Sequence, residues 1–173
     1  MTSISSIGYF NNLCFKGSFE EAQSFLSKNP TLIHCTYNNG NLRSPLHSVC
    51  FNRDLNQGHF KIVKLLLSHG ANVNAQDVLK ETPLYDACGN KHINIDFIKI
   101  LLDYGANPNI GSYNNKLPIN AACWNGRLDI VGLLFDYGSI IPHENFYSPN
   151  ILMLINTTKV RIMCFKVCVA CNL

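Results

Sequence analysis

Apolar residues recur at helical spacing in three segments: HFKIVKLLLSHG (59–70), DFIKILLDYG (96–105) and RLDIVGLLFDYG (127–138). In the first, Ile62, Val63, Leu65, Leu66 and Leu67 draw one face of a helix. Each segment ends on a glycine, and Gly70, Gly105 and Gly138 are 35 and 33 residues apart. A glycine there ends a helix in the left-handed conformation that residues with a Cβ resist. A shorter helix opens upstream of each, in SPLHSVC (44–50), TPLYDAC (82–88) and LPINAAC (117–123). Ser44 or Thr82 can cap it, and Pro45, Pro83 or Pro118 takes the first helical position, where a missing N–H costs nothing. An extended ANVN or ANPN leads to the next copy. One such pair cannot bury both of its apolar faces; stacking neighbours does so, and the pattern predicts an all-α stack of helix pairs.

The same three copies resemble the ankyrin repeat family. The resemblance is carried by SPLHSVC…GHFKIVKLLLSHGANVN, TPLYDAC…FIKILLDYGANPN and LPINAACWNGRLDIVGLLFDYG, with a leading copy in NNLCFKGSFEEAQSFLSKNPTLIH. It implies an all-α ankyrin-repeat solenoid of about four to five helix-turn-helix repeats. The array is expected over 1–142, with a cap at about 7–36 and repeats at about 37–74, 75–109 and 110–142. Residues 143–173 then form a degenerate last repeat or a hydrophobic tail. In the cap, Ser18 and Glu21 predict a capping box ahead of Ala22, Phe25 and Leu26. Two departures stand out. About five extra residues within FNRDLNQ and two within GNKHINI lengthen inter-helix turns on one edge of the stack. Leu117 and Asn120 replace the usual threonine and histidine, so the first helix of that repeat is expected to be less well tied to its neighbour.

Composition narrows the function. Charged residues are only 14% of the 173-residue chain, and a net charge of +3 without a basic block argues against nucleic acid or an anionic membrane. The N-terminal MTSISSIGYFNN lacks the features of a secretory signal, and no stretch reaches the roughly 18 apolar residues of a membrane span. An intracellular protein is expected, cytoplasmic or nuclear. Four of the eight cysteines, Cys14, Cys50, Cys88 and Cys123, share one slot of the repeat, where a thiol serves as a small buried side chain. Cys164, Cys168 and Cys171 have a C-x3-C-x2-C spacing similar to that of radical SAM enzymes, yet only two residues follow and no histidine lies nearby to complete a zinc shell. They are read as apolar tail residues. The tail is either a docking or dimer surface or an interrupted end.

Catalytic chemistry finds no support. The six histidines are scattered, with His47 and His59 in structural slots of the repeat, and no metalloprotease, nucleophile-elbow or phosphate-loop motif occurs. No enzyme activity, cofactor or metal is expected. The resemblance implies instead a protein-interaction module, an adaptor or scaffold, gripping a partner through turn tips and first helices. Carried over position by position, the tips offer Asn41 and Arg43, then Val78, Leu79 and Glu81, then Tyr113, Asn114 and Lys116; the first helices add Phe51, Asn52, Asn90, Trp124 and Asn125. Phe51, Tyr113 and Trp124, flanked by Val78 and Leu79, would form an exposed apolar ridge of the kind that marks binding. The alternative for Phe51 is ordinary packing under the insertion that it begins. A second reading makes the chain the substrate-recognition part of a ubiquitin-ligase-type complex. A monomer is expected, with the tail as the surface for any self-association. Asn74 and Asn109, each eight residues after a leucine, match the arrangement of hydroxylated ankyrin asparagines; hydrogen bonding to turn backbone is the alternative role.

Overall fold

The computed structural model describes residues 4–37 and 40–140. The tail at 143–173, with its three cysteines, lies outside the described residues. Among the described residues eight α-helices come in pairs: α1 Ile4–Lys16 with α2 Phe19–Lys28, α3 Pro45–Cys50 with α4 Gln57–Ser68, α5 Pro83–Gly89 with α6 Ile95–Asp103, and α7 Pro118–Trp124 with α8 Leu128–Asp136. A 3₁₀ turn, Pro30–His34, closes the first pair. The first helices form one row in which α1 packs on α3, α3 on α5 and α5 on α7. Behind them α2 packs on α4 and α6 on α8, and the Phe60 and Phe97 rings meet edge to face at 5.3 Å between α4 and α6. No strand forms among the described residues; Tyr37 and Arg43 make an isolated bridge. The helix stack expected from the sequence is therefore present.

Short first helices hold because their ends are closed. Prolines 45, 83 and 118 sit at the first helical positions, Ser44 Oγ accepts the His47 N–H at 3.4 Å, and Thr82 Oγ1 accepts the Tyr85 N–H at 3.2 Å. Gly70, Gly105 and Gly138 end the second helices at φ values of 84°, 85° and 82°, the left-handed region read from their place in the sequence. Cys14, Cys50, Cys88 and Cys123 are all buried and form no disulfide, in one continuous core with Val49, Ala87 and Ala122. Burial pushes the thiols of Cys14, Cys50 and Cys88 far up, because a thiolate would lose its hydration there. They stay protonated and inert, as the repeat slot implied.

Two local expectations are corrected. Ser18 precedes α2, but its side chain makes no capping hydrogen bond; its backbone, at φ −77° and ψ 76°, is not the extended geometry that aims a cap oxygen at the helix. And α7, despite Leu117, is well tied. Asn120 Oδ1 accepts the Leu117 N–H at 2.7 Å, and past the helix end the Arg127 Nη1 donates to the carbonyls of Lys91 and Ile93 at 3.1 and 2.8 Å. This guanidinium ties the end of α7 back to the preceding repeat.

Candidate partner-binding surface

Between the pairs the chain forms narrow turns that project from the ends of the first helices. In the second, Asp77 N–H donates to the Glu81 carbonyl at 3.1 Å and Asp77 Oδ1 accepts the N–H groups of Leu79 and Glu81 at 2.8 and 3.0 Å. In the third, Ser112 N–H donates to the Lys116 carbonyl at 2.9 Å. Each turn places one residue other than glycine in the left-handed region: Leu42, Lys80 and Asn115, at φ 50°, 56° and 54°. Neighbouring turns are stitched together, Val78 N–H to the Asn41 carbonyl at 3.1 Å and Tyr113 N–H to the Leu79 carbonyl at 2.7 Å. That pairing leaves side chains at the tips facing outward. Val78, Leu79, Asn114 and Lys116 are exposed, and Tyr113 is 73% exposed with the Lys80 ammonium 5.9 Å from its ring centre. On the first helices Phe51 is 51% and Trp124 78% exposed. A core role for Trp124 does not fit such exposure.

Arg43 and Glu81 are placed differently from open tip residues. The Arg43 guanidinium lies 4.2 Å from the centre of the Phe51 ring and reaches three carboxylates: Asp77 at 3.6 Å, Glu81 at 3.9 Å and Asp86 at 3.4 Å. Asp77 and Asp86 are buried. Burial, and then the neighbouring Asp77, pushes the Glu81 carboxyl up. Asp86 is pushed up to about 7, first by burial, with Arg43 opposing and Glu81 and Asp77 adding to it. His47 closes the same region. Its Nδ1 accepts the Ser44 N–H at 3.2 Å, so its Nε2 carries the proton given to the Glu81 carbonyl at 3.0 Å, and burial holds the ring neutral.

Three of the five asparagines read as partner contacts form an internal ladder. The Asn52 amide donates to the Phe15 carbonyl, Asn90 to the Asn52 carbonyl at 2.7 Å, and Asn125 to the Cys88 and Gly89 carbonyls at 3.3 and 2.9 Å. Asn52 and Asn125 satisfy C-terminal carbonyls of the preceding first helix, which have no helical partner of their own, and Asn90 satisfies a carbonyl two residues past the end of α3. Asn90→Ala is expected to cost about 1–2 kcal/mol, the value of a buried acceptor left unpaired, measured as a shift in the urea midpoint.

With the helix pairs, stops and stitched turns in view, the comparison with protein families decides the assignment. The model described as Ankyrin repeats (3 copies) matches residues 55–145, about half of the chain. The chain belongs to the ankyrin repeat family. Its ankyrin segment is 40% identical over 77 residues to the E3 ubiquitin-protein ligase XBAT33 of Arabidopsis thaliana, covering 44% of this chain and 14% of that protein. It is 42% identical over 67 residues to the serine/threonine-protein kinase VIK of the same plant, covering 39% of this chain and 14% of that protein. The chain thus matches only about a seventh of either relative.

On the outer edge of the ankyrin stack, Asn74 donates to the Gly105 carbonyl at 3.0 Å and accepts the Asn107 N–H at 2.8 Å. Asn109 repeats this with the Gly138 carbonyl and the Ile140 N–H, both at 2.9 Å. Both asparagines join one turn to the next. The sequence reading missed a hollow at the N-terminal end of the row of first helices. There α1, α3 and the first turn enclose an open cavity of about 660 Å³ whose lining includes Tyr9, Asn12, Phe15 and Tyr37. Its signal was present in the cysteine register: Phe15 follows Cys14 as Phe51 follows Cys50. Among the described residues no three His, Cys, Asp or Glu side chains group as metal ligands, and no helix is long and apolar enough to cross a membrane.

Proposed function

We propose that this ankyrin array is a non-catalytic adaptor or scaffold that holds a partner protein along its concave face. The observation that carries the reading is the exposed fringe of Phe51, Val78, Leu79, Tyr113 and Trp124 on turns and helix ends that are otherwise tightly hydrogen-bonded. Large apolar side chains on a rigid frame cost little ordering entropy on binding, and aromatic residues supply most of the energy of such interfaces. Lys116 and Asn114 at the third tip supply polar contacts at the rim. Arg43, Glu81 and Asn125 act behind the surface, holding Phe51, the second tip and the α7 end in place. Among the described residues five cysteines, four of them buried, form no disulfide, which suits a reducing compartment, the cytoplasm or nucleus. Asn74 and Asn109 stand as candidate hydroxylation sites whose side chains already serve the turn.

Trp124→Ala and Tyr113→Ala, alone and together, are expected to leave the helical melting curve within about 2 °C of wild type, as surface changes do. Each is expected to weaken partner binding about tenfold, the loss typical of a truncated interface aromatic. Affinity purification of wild type and the double variant side by side, followed by mass spectrometry, identifies the partner as the protein lost from the variant. Recovery of the same set from both would sink the assignment. The similarity to a ubiquitin ligase over 77 residues supports a second reading, in which the array receives substrates for such a complex. Co-purification of ligase components that survives the groove substitutions would favour it.

A further inference from the structure

The four first helices share one slot immediately after their buried cysteine, filled by Phe15, Phe51, Gly89 and Trp124. The asparagine ladder fixes these positions side by side, because Asn52 reaches Phe15, Asn90 reaches Asn52, and Asn125 reaches Gly89. The row is therefore an exposed aromatic stripe with one tooth missing. Phe51 and Trp124 stand two helix-packing distances apart, about 20 Å, with Gly89 midway. A Cβ built on Gly89 meets no atom within 4 Å, so the gap is open, and the residue's backbone is not in the left-handed region that would demand glycine.

One turn earlier on the same face of α5 lies Asp86. It is 9% exposed, and its Oδ2 has no hydrogen-bond partner. With Asp77 and Glu81 it makes three carboxylates, and Arg43 is the cation that pairs with them among the described residues. Arg43 leans toward Phe51, where its guanidinium covers the ring. Burial, with Glu81 and Asp77 nearby, holds Asp86 up at about 7 despite Arg43, and Cys50 and Tyr85 face the same carboxylate. The cluster is short of positive charge.

We propose that the hollow over Gly89 is a specificity pocket for one lysine or arginine of the bound segment, its cation set between the Trp124 ring and the Asp86 carboxylate, with apolar residues on either side meeting Phe51 and Tyr113. The proposal rests on the concave face being the protein-binding surface. A cation over an exposed tryptophan gains from the ring's negative face, and a buried carboxylate strengthens that attraction.

The test uses the full chain and a phage-displayed random dodecapeptide library, keeping peptides whose binding is lost with Trp124→Ala. These peptides should be enriched in lysine or arginine at one position. Changing that residue to methionine, or Asp86→Asn in the protein, should each weaken binding about tenfold, and the two together should cost little more than one, as for a coupled charge pair. Gly89→Phe, whose Cβ meets no atom within 4 Å and whose ring occupies the gap, should leave the melting curve in place and abolish binding of the same peptides. Groove-dependent peptides without a basic position, additive losses, or undiminished binding to Gly89→Phe would overturn the pocket while leaving the groove intact. If no selected peptide depends on Trp124, both the pocket and the concave-face reading are overturned.

Discussion

Gly58→Ala is expected to lower the melting temperature by roughly 10 °C, read by the helical circular-dichroism signal. An alanine Cβ there would lie 2.0 Å from the Gly17 carbonyl oxygen, a backbone atom, and the Cβ itself is fixed by the backbone of α4. Neither side yields easily. The Gly17 loop is held by Ser18 N–H on the Leu13 carbonyl at 3.1 Å and by His59, whose Nε2 donates to the Phe15 carbonyl at 2.9 Å. The α4 start is held by Asn56, whose Oδ1 accepts the Gly58 and His59 N–H groups at 2.8 and 3.3 Å. Relief means drawing α4 away from the first pair and breaking at least one of these bonds. Overpacking with a lost buried hydrogen bond costs about 3–4 kcal/mol. A melt within 2 °C of wild type would show that the two backbones do not approach so closely. Gly89→Ala, in open space, is the control expected to do no harm.

The second large effect is on pH dependence. Asp86 is pushed from the ordinary 3.8 up to about 7, chiefly by burial. An acid whose folded value is raised holds its proton in the folded state after the unfolded chain has released it. Its contribution is thus fully present below about pH 4 and lost as pH climbs through 7, a loss on the order of 4 kcal/mol. Asp129, which its hydrogen bond to Arg127 holds below the ordinary carboxylate value, works in the opposite sense, losing its contribution as pH falls below about 4. Its window lies outside the one that Asp86 controls. Asp86→Asn removes the titration while keeping the shape. Urea titrations should find the variant close to wild type at about pH 4 and roughly 2–4 kcal/mol more stable at about pH 8. An equal difference at both values would mean that Asp86 does not carry the proton. The same variant is expected to lose selectivity for a basic partner, the usual exchange of stability against recognition.

The fold was legible because its signals are local. A glycine stop, a proline at the first helical position and a cysteine in a fixed register each act over a few residues, and they repeat. The exposed side chains Val78, Leu79, Tyr113 and Trp124 could be placed by register for the same reason. What sequence did not disclose depends on which backbone atom comes near. Asn52, Asn90 and Asn125 look like variable surface residues until the carbonyl each one meets, in the repeat before it, is known. Arg43 looked like a free tip cation, yet Asp77, Glu81 and Asp86 converge on it from 34 to 43 residues away in the chain. Ser18 shows the converse: the capping motif is present, but the backbone torsion that would use it is not.

The joints made by Asn74 and Asn109 are interchangeable. Asn74 engages the Gly105 carbonyl and an N–H two residues on, and Asn109 engages the Gly138 carbonyl and an N–H two residues on. Excising residues 75–109 would bring Asn74 to face Gly138, with the same donor and acceptor waiting and no polar atom orphaned along that seam. A gene coding for such a chain can gain or shed whole units while every hinge keeps its chemistry, so that the length of the array is free to drift while its joinery is not.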